Sequence, residues 1–452
     1  MKIVVVGCGK IGETIIKNLV NEGHDVVAVD MEQEVVSQVS NMYDVMAVCG
    51  NGADNDTLDE AGVKDAELFV AVTDSDERNM LSCFIASKMG AKQTIARIRN
   101  PEFNDNSLNF IREELGVSIA LNPEKLAAHE IYSLLKLPAA TKIETFSTRK
   151  FEIIEIKLKV DSPFNGLSLI DIRKKFPYKF LVCTVLRDDK AFIPDGNFVL
   201  KSGDRISITA SRKEVQKLLK KIGIVQRPVK SVMILGASKI SHYLAEMLLS
   251  DGNDVKIIDK DKEKCLVYDE KLKHPVMIHG DGAQQELLLE EGLKSMDAFV
   301  SITGNDECNI LVSYFAQSLD VPTVITKTNR DEFSQMANRL GLDCIVSPHM
   351  TVANAIVRYA RALENSMDSS IETLYKIMDG KAEALEFIIG HDCSFLNIPI
   401  KDIKLKDNVL IAGIIRNKSV IIPGGLDFIL EKDKVVIVAS GIKITSIADI
   451  IQ

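Results

Sequence analysis

The sequence predicts an α/β fold: two doubly wound parallel sheets, each followed by a small α+β domain, in a tandem duplication. Three observations carry that prediction. Short β-branched runs alternate with helical patterns, the whole pattern occurs twice, and each occurrence ends in a shorter strand-rich stretch.

In the first unit the apolar runs occupy residues 3–6, 26–29, 45–48, 68–72, 94–98 and 117–121. Few polar residues interrupt them, as expected of strands buried on both faces. Between the first two runs, Ile11, Ile15, Ile16, Leu19 and Val20 mark one helix face, and the second unit keeps apolar residues at 240, 244, 245, 248 and 249. Strand patterns then cover 153–160, 181–186 and 205–210, and again 384–389, 409–415 and 435–439, with Pro-Asp-Gly and Pro-Gly-Gly turn signals between them.

The duplication is read from ordered landmarks. Gly7 recurs as Gly236 and Asp30 as Asp259, each 229 residues on. Asn51-Gly52 aligns with Asp281-Gly282, Asp76-Glu77-Arg78-Asn79 with Asp306-Glu307-Cys308-Asn309, and Ile193-Pro194 with Ile422-Pro423. Four domains are expected: 1–140, 141–226, 227–368 and 369–452, with Gln226-Arg227-Pro228 as the linker between the units.

Of the 452 residues, 46% are hydrophobic and 26% charged, the usual mix for a globular chain. The net charge of −9 sets phosphate repulsion against general nucleic-acid binding, so no nucleic-acid partner is expected. No apolar run approaches the roughly 18–20 residues that span a bilayer, and the N-terminus opens on a strand pattern rather than a signal peptide. Any membrane role is therefore expected to need a partner. The eight cysteines show no C-x-x-C spacing and the seven histidines no H-E-x-x-H, so neither a disulfide framework nor a metal site is expected.

The chemistry is expected at Gly7-Cys8-Gly9-Lys10-Ile11-Gly12, a G-x-G-x-x-G that follows a strand and opens a helix, with Asp30 ending the next strand. Gly7 permits the tight turn, Gly9 lets a pyrophosphate approach the backbone, and Gly12 lets the helix pack closely. Free N–H groups at the helix start favour phosphate. Asp30 can accept from a ribose 2′-OH, and Met31 and Glu32 supply no positive charge for a 2′-phosphate, which favours NAD(H) over NADP(H). The alternative is an empty Rossmann-like sheet whose glycines serve packing alone.

Other candidates lie on loops at the carboxyl ends of strands: Asn51 and Gly52, then Thr73 and Asp74. Asp76 is expected to cap the next helix. Arg97 and Arg99, two apart, share a face; one reaches a phosphate or a neighbouring subunit, or both serve ion pairs. The second copy reads Gly236-Ala237-Ser238-Lys239-Ile240-Ser241, with Asp259 retained. It is either a second nucleotide site or a structural copy. Ser238 places a side chain in the phosphate approach, and Ser241 is expected to crowd the helix–sheet contact.

No acid/base group suited to a dehydrogenase, no G-x-S-x-G and no G-K-[ST] loop is recognisable, so the nucleotide reads as a signal rather than a reactant. An NAD-dependent oxidoreductase with an unrecognised substrate site is the alternative.

The motif at 7–12, Asp30, Gly50-Asn51-Gly52, residues 71–79 and Ala96-Arg97-Ile98-Arg99 resemble the regulator-of-potassium-conductance domain, over essentially the whole chain and in tandem form. The resemblance implies a non-enzymatic cytosolic regulator. It would dock as a homo-oligomeric ring on a separate potassium-translocating membrane subunit of the Trk type, at the inner face of the cell membrane. It implies NAD(H), ATP and ADP as ligands, contacts from residues 7–11, Asp30, Thr73, Asp74 and Arg97, and crossover helices at 126–137 and 352–363 that pair nucleotide domains. By periodicity alone those helices are amphipathic and nothing more.

Overall fold

The computed structural model describes residues 1–100, 105–146, 151–222, 228–272, 275–365, 371–417 and 419–452. The first sheet contains β1 (Lys2–Val6), β2 (Asp25–Asp30), β3 (Met46–Cys49), β4 (Leu68–Ala71), β5 (Gln93–Arg97) and β6 (Ile119–Leu121), all parallel, in the order β3-β2-β1-β4-β5-β6. The helices between them are α1 (Lys10–Asn21), α2 (Gln33–Tyr43), α3 (Asn55–Glu60), α4 (Asp76–Met89) and α5 (Asp105–Leu115), and α6 (Pro123–Lys136) follows β6. The order reverses direction between β1 and β4, which leaves a crevice at their carboxyl ends.

The next part is an antiparallel sheet of β7 (Lys142–Thr145), β8 (Glu152–Lys157), β9 (Phe180–Arg187), β10 (Lys190–Phe192) and β11 (Arg205–Ala210), flanked by α7 (Leu169–Lys175) and α8 (Arg212–Lys221). The second parallel sheet repeats the first in the order β14-β13-β12-β15-β16-β17, built from β12 (Ser231–Leu235), β13 (Asp254–Asp259), β14 (Val276–His279), β15 (Ala298–Ser301), β16 (Thr323–Lys327) and β17 (Cys344–Val346). Its helices are α9 (Lys239–Ser250), α10 (Lys262–Lys271), α11 (Gln285–Glu290), α12 (Asp306–Ser318), α13 (Asp331–Arg339) and α14 (Pro348–Asn365). The chain ends in β18 (Ile371–Ile377), β19 (Ala382–Ile388), β20 (Val409–Arg416), β21 (Ser419–Ile421) and β22 (Lys434–Ser440), again one antiparallel sheet.

The apolar runs of the sequence thus become strands, central ones except for β3 and β6, which lie at the two edges of the first sheet. The strands that periodicity did not indicate, β7, β10, β18 and β21, all sit at sheet edges; β7 and β10, three or four residues long, are only partly buried. Of the expected linker, Gln226 and Arg227 lie outside the described residues.

The two units are tied together by exchanged helices. The stripe Ile11, Ile15, Ile16 and Leu19 of α1 packs against Val352, Ala353, Ile356, Val357 and Ala360 of α14, the last helix of the other unit's parallel sheet. Reciprocally, Ala127, Ala128, Ile131 and Leu135 of α6 share a core with Ile240, Leu244 and Leu248 of α9. Each sheet of six strands is therefore covered on one face by a helix from the other half. Alanines at the contacts let the helix axes approach. The two antiparallel sheets also pack together, with Phe146, Phe151 and Ile153 against Ile377, Ala384 and Val438. Apolar burial on this scale, at about 25 cal/mol per Å², holds the halves as one body.

Candidate functional site

β1 ends in a turn held by Gly7, whose N–H donates to the Val29 carbonyl at 2.8 Å. Gly7 has φ +94°, and a Cβ there would stand 2.9 Å from the Thr73 nitrogen, so only glycine lets the β1 and β4 ends meet this closely. The chain then enters α1 through Gly9, which has no side-chain cap, and the Cβ position of Gly9 has nothing within 4 Å. The first N–H groups of a helix lack intrahelical acceptors. Here no side chain caps them, and Gly9 and Lys10 are exposed at the positive end of the helix dipole, a place suited to phosphate. A Cβ on Gly12 would lie 1.8 Å from the Gly7 carbonyl oxygen. This glycine lets the first helical turn stand directly on the loop, more than on the sheet itself.

Asp30 joins two turns. Its Oδ2 accepts from the Cys8 backbone N–H at 2.6 Å, and its Oδ1 from the Glu32 N–H at 3.0 Å. A carboxylate oxygen has a second lone pair, so both atoms keep acceptor capacity. Cys8 and Ile11 turn their side chains into the core, whereas Gly9 and Lys10 are exposed. Burial, reinforced by the negative charge of Asp30, pushes the Cys8 thiol up to about 12, which leaves it protonated and unreactive. On the neighbouring turn, Asn51 Oδ1 accepts from Ala53 N at 3.0 Å, and a Cβ on Gly52 would meet Val6 at 2.0 Å. That turn closes over the end of β1.

The β4 loop is organised by Asn79, which is fully buried. Its Oδ1 accepts from Thr73 N at 2.8 Å and Thr73 Oγ1 at 2.7 Å, and its Nδ2 donates to the Arg97 carbonyl at 2.9 Å. Asn309 repeats this bond for bond, accepting from Thr303 N and Oγ1 and donating to the Lys327 carbonyl. The sequence marked Asn79 only as part of a recurring motif; that recurrence was the available signal. Asp76 is not the helix cap. Ser75 caps α4, accepting from Arg78 N, while Asp76 accepts from the backbone of Arg99 at 2.9 Å and Asn100 at 2.8 Å. A carboxylate one residue inside the helix can reach a neighbouring loop that the cap position cannot.

Arg97 and Arg99 both serve this loop. Arg99 lies two residues beyond the end of β5, and pairs with Asp76 at 3.3 Å and with the Asp74 carbonyl. Arg97 donates to the Thr73 carbonyl at 3.4 Å and pairs with Glu124 at 3.6 Å. Its Nε and one oxygen of Glu124 are buried with no hydrogen-bond partner. Burial lowers the Arg97 pKa, with Glu124 opposing that shift. The helix exchange brings second-half groups here too. His349, at the start of α14, lies in the field of Lys327, Arg97 and Lys10; burial first, then Lys327, holds its pKa below the ordinary value. Lys327, the counterpart of Arg97, is buried at the end of β16, and burial lowers its pKa as well.

The second loop has the same path and different chemistry. Gly236 (φ +106°) approaches Thr303, and Ala237 N donates to Asp259 Oδ2 at 2.6 Å. Ser238, however, caps α9. Its Oγ accepts from Ser241 N at 3.3 Å, and Ser238 N donates to Ser241 Oγ at 3.1 Å, a reciprocal capping box. Ser241 turns its hydroxyl onto the loop and also donates to the Gly236 carbonyl. Lys239 is half-buried and Ile240 faces the core. The helix start that is open at Gly9 is thus closed by side chains at Ser238.

The TrkA-N domain model matches residues 3–123 and 232–348, and the TrkA-C domain model matches residues 153–223 and 384–444. The chain is 30% identical to a Trk system potassium uptake protein TrkA homolog of Archaeoglobus fulgidus, over the full length of both. It is 28% identical to Trk system potassium uptake protein TrkA of Vibrio alginolyticus, covering 96% of this chain and 95% of that one. Among solved structures, the GsuK RCK domain aligns over 97% of this chain and 92% of its own, with TM-score 0.62 and 16% identity. The GsuK channel bound to NAD aligns over 97% and 77%, with TM-score 0.61 and 17% identity. At that identity the likeness is one of fold.

Proposed function

The chain belongs to the TrkA family, with its TrkA-N and TrkA-C domains in tandem, and from that premise we propose that it is a nucleotide-sensing regulatory subunit gating a separate Trk-type potassium-translocating membrane protein. The observation that carries the sensing role is the uncapped start of α1, with open space at Gly9 beside Asp30. Gly7, Gly9, Lys10 and Gly12 receive the diphosphate, with backbone contributions from Cys8 and Ile11. Asp30 takes the ribose, and Asn51, Gly52, Thr73, Asp74 and Arg97 form the surrounding wall. NAD(H) is the ligand, with ATP and ADP competing for the same loop.

The second loop, from Gly236 to Ile240 with Asp259, binds a diphosphate less well, because Ser238 and Ser241 already occupy its helix start. The domains run 1–140, 141–226, 227–368 and 369–452. Among the described residues no helix is long and apolar enough to cross a membrane, so the subunit works at the inner membrane face through its partner. Exposed Leu81 on α4 and Leu311 and Tyr314 on α12 give both units an apolar outer face. Repeated faces of this kind support assembly of a homo-oligomeric ring.

The protein catalyses nothing in this reading. A ligand that prefers one ring shape shifts the population towards it, and a coupling of about 1–3 kcal/mol is enough for ordinary regulation. The test is potassium flux in proteoliposomes holding the membrane subunit and this chain. Flux should change on adding NADH or NAD⁺ while the nucleotide is recovered unaltered. Flux indifferent to every nucleotide would overturn the proposal, and steady consumption of NADH with carbonyl substrates would favour an oxidoreductase.

A further inference from the structure

The first small domain carries a basic helix, α8, at a place where the second has none. Residues 212–221 hold five basic residues and one acidic, although the chain as a whole is acidic. The aligned stretch, 441–450, holds only Lys443 and Asp449, and forms a short 3₁₀ turn in place of a helix. On α8 the face is one-sided. Val215, Leu218 and Leu219 are buried, while Lys217, Lys220 and Lys221 are exposed.

A second set of cations stands beside it. Arg173, Lys174 and Lys175 end α7 and are exposed, and Lys179 follows in the loop to β9. The two sets are adjacent, because Lys179 N donates to Glu214 on α8 at 3.3 Å, and Phe176 and Phe180 share a core with Leu218 and Leu219. Acidic neighbours offset only part of this charge: Asp171 stands 3.8 Å from Lys174, and Glu214 2.8 Å from Lys217. Arg173, Lys179, Lys220 and Lys221 make no ion pair among the described residues. Exposed Pro177 and half-buried Tyr178 lie between the two sets.

We propose that this face of α7 and α8 docks on the anionic phospholipid surface of the membrane. The proposal rests on the reading above only in placing the chain beside a membrane. The side chains favour lipid over an acidic protein partner. All but one of the exposed cations are lysines, hydrated point charges on flexible stems. A spread of headgroup charge suits them better than a carboxylate that needs the planar fork of arginine. Tyr178 offers an amphipathic ring at the level of the headgroups.

The test is co-sedimentation of the full chain, without the membrane subunit, with vesicles of phosphatidylcholine alone or containing phosphatidylglycerol. Binding should need phosphatidylglycerol. It should fall as salt shortens the screening length from about 10 Å at 0.1 M to about 3 Å at 1 M. The triple variant Lys217→Glu/Lys220→Glu/Lys221→Glu should lose at least about a hundredfold in affinity, from roughly fivefold per lysine. The charge-matched control Lys262→Glu/Lys264→Glu/Lys271→Glu on α10 should bind as wild type. A salt titration of the unaltered chain covers the case in which the triple variant fails to fold. Equal binding to both vesicles, or undiminished binding by a folded triple variant, overturns the proposal. So does a triple variant that binds vesicles normally yet loses the membrane subunit, since the face would then meet protein. Nucleotide-dependent flux tests the regulatory role separately, and stands or falls without this result.

Discussion

The backbone N–H of Cys8 donates to Oδ2 of Asp30 at 2.6 Å. The bond fixes the turn after β1 to the end of β2, and so sets the position of the open helix start. Its twin in the second half joins Ala237 and Asp259 at the same 2.6 Å. The two halves therefore share a loop and differ in what the loop leaves free.

Asp30→Ala removes both the clamp and the ribose acceptor. A hydrogen bond to a charged group contributes about 1.5–3 kcal/mol. Calorimetry should show NADH affinity reduced by at least about tenfold, which corresponds to about 1.4 kcal/mol. Unchanged affinity would remove Asp30 from the site.

Gly12→Ser tests the difference between the halves. In the second half Ser241 turns its hydroxyl to the Gly236 carbonyl, but in the first half a Cβ would come within 1.8 Å of the Gly7 carbonyl oxygen. The loop must move, at a cost of about 1–3 kcal/mol as in other overpacked sites. Denaturant unfolding should show that loss together with weakened NADH binding. Full stability would mean that the first loop can adopt the second loop's path.

The pseudo-symmetric ends of the exchanged helices predict unequal mutational costs. Arg361 on α14 pairs with Glu22 and, at 3.1 Å, with Glu383, and the side chains of Arg361 and Glu22 are only 10% and 4% exposed. Lys376 also reaches Glu22 at 2.6 Å. Despite burial, these cations hold the Glu22 carboxyl below its ordinary pKa. On α6 the counterpart Lys136 pairs with Asp251 at 51% and 33% exposure. Arg361→Ala leaves the buried Glu22 carboxylate to Lys376 alone and should cost about 1.5–3 kcal/mol. Lys136→Ala should cost no more than about 1 kcal/mol. Chemical denaturation distinguishes the two.

His24 gives the fold a pH dependence. It is buried at the α1–β2 turn with both ring nitrogens lacking hydrogen-bond partners. Burial lowers its pKa from 6.5; the N-terminal amine and Lys443 add to that, and Glu364 and Glu22 oppose it. The folded state therefore favours the neutral ring. Its contribution is fully present above pH 6.5 and is lost as pH falls from there through the folded pKa. Melting temperature measured between pH 8 and 5 should drop less in His24→Asn, which carries the residue found at the aligned position 253. Identical slopes would show that His24 does not titrate on unfolding.

Much of this was legible in the sequence. The runs that became β1, β2 and β4 are buried on both faces, so their composition alone marks them. The glycine spacing located the turn, because Gly7 and Gly12 each stand where a Cβ would meet backbone. The helix exchange follows from the resemblance, which implies crossover helices at 126–137 and 352–363, and not from periodicity. The periodicity of α6 shows that one face is apolar, but the face it covers belongs to α9, more than a hundred residues away. Ser238 read only as an obstruction to phosphate and Ser241 as a crowded contact; that the two close the helix start as a capping box is a matter of side-chain geometry. Asp76 read as a cap because short polar residues before helices usually are; its tie to Arg99 and Asn100 is long-range and leaves no local mark.

The most direct test of the open helix start is calorimetric titration of NADH into the full chain and into Gly9→Val. Nothing lies within 4 Å of the Cβ position at Gly9, so the variant should fold, losing no more than about 1–2 kcal/mol for valine at the N-cap of α1. It should lose the NADH site because the valine fills the approach to the helix N-terminus. Retention of wild-type affinity and stoichiometry in Gly9→Val would contradict the account.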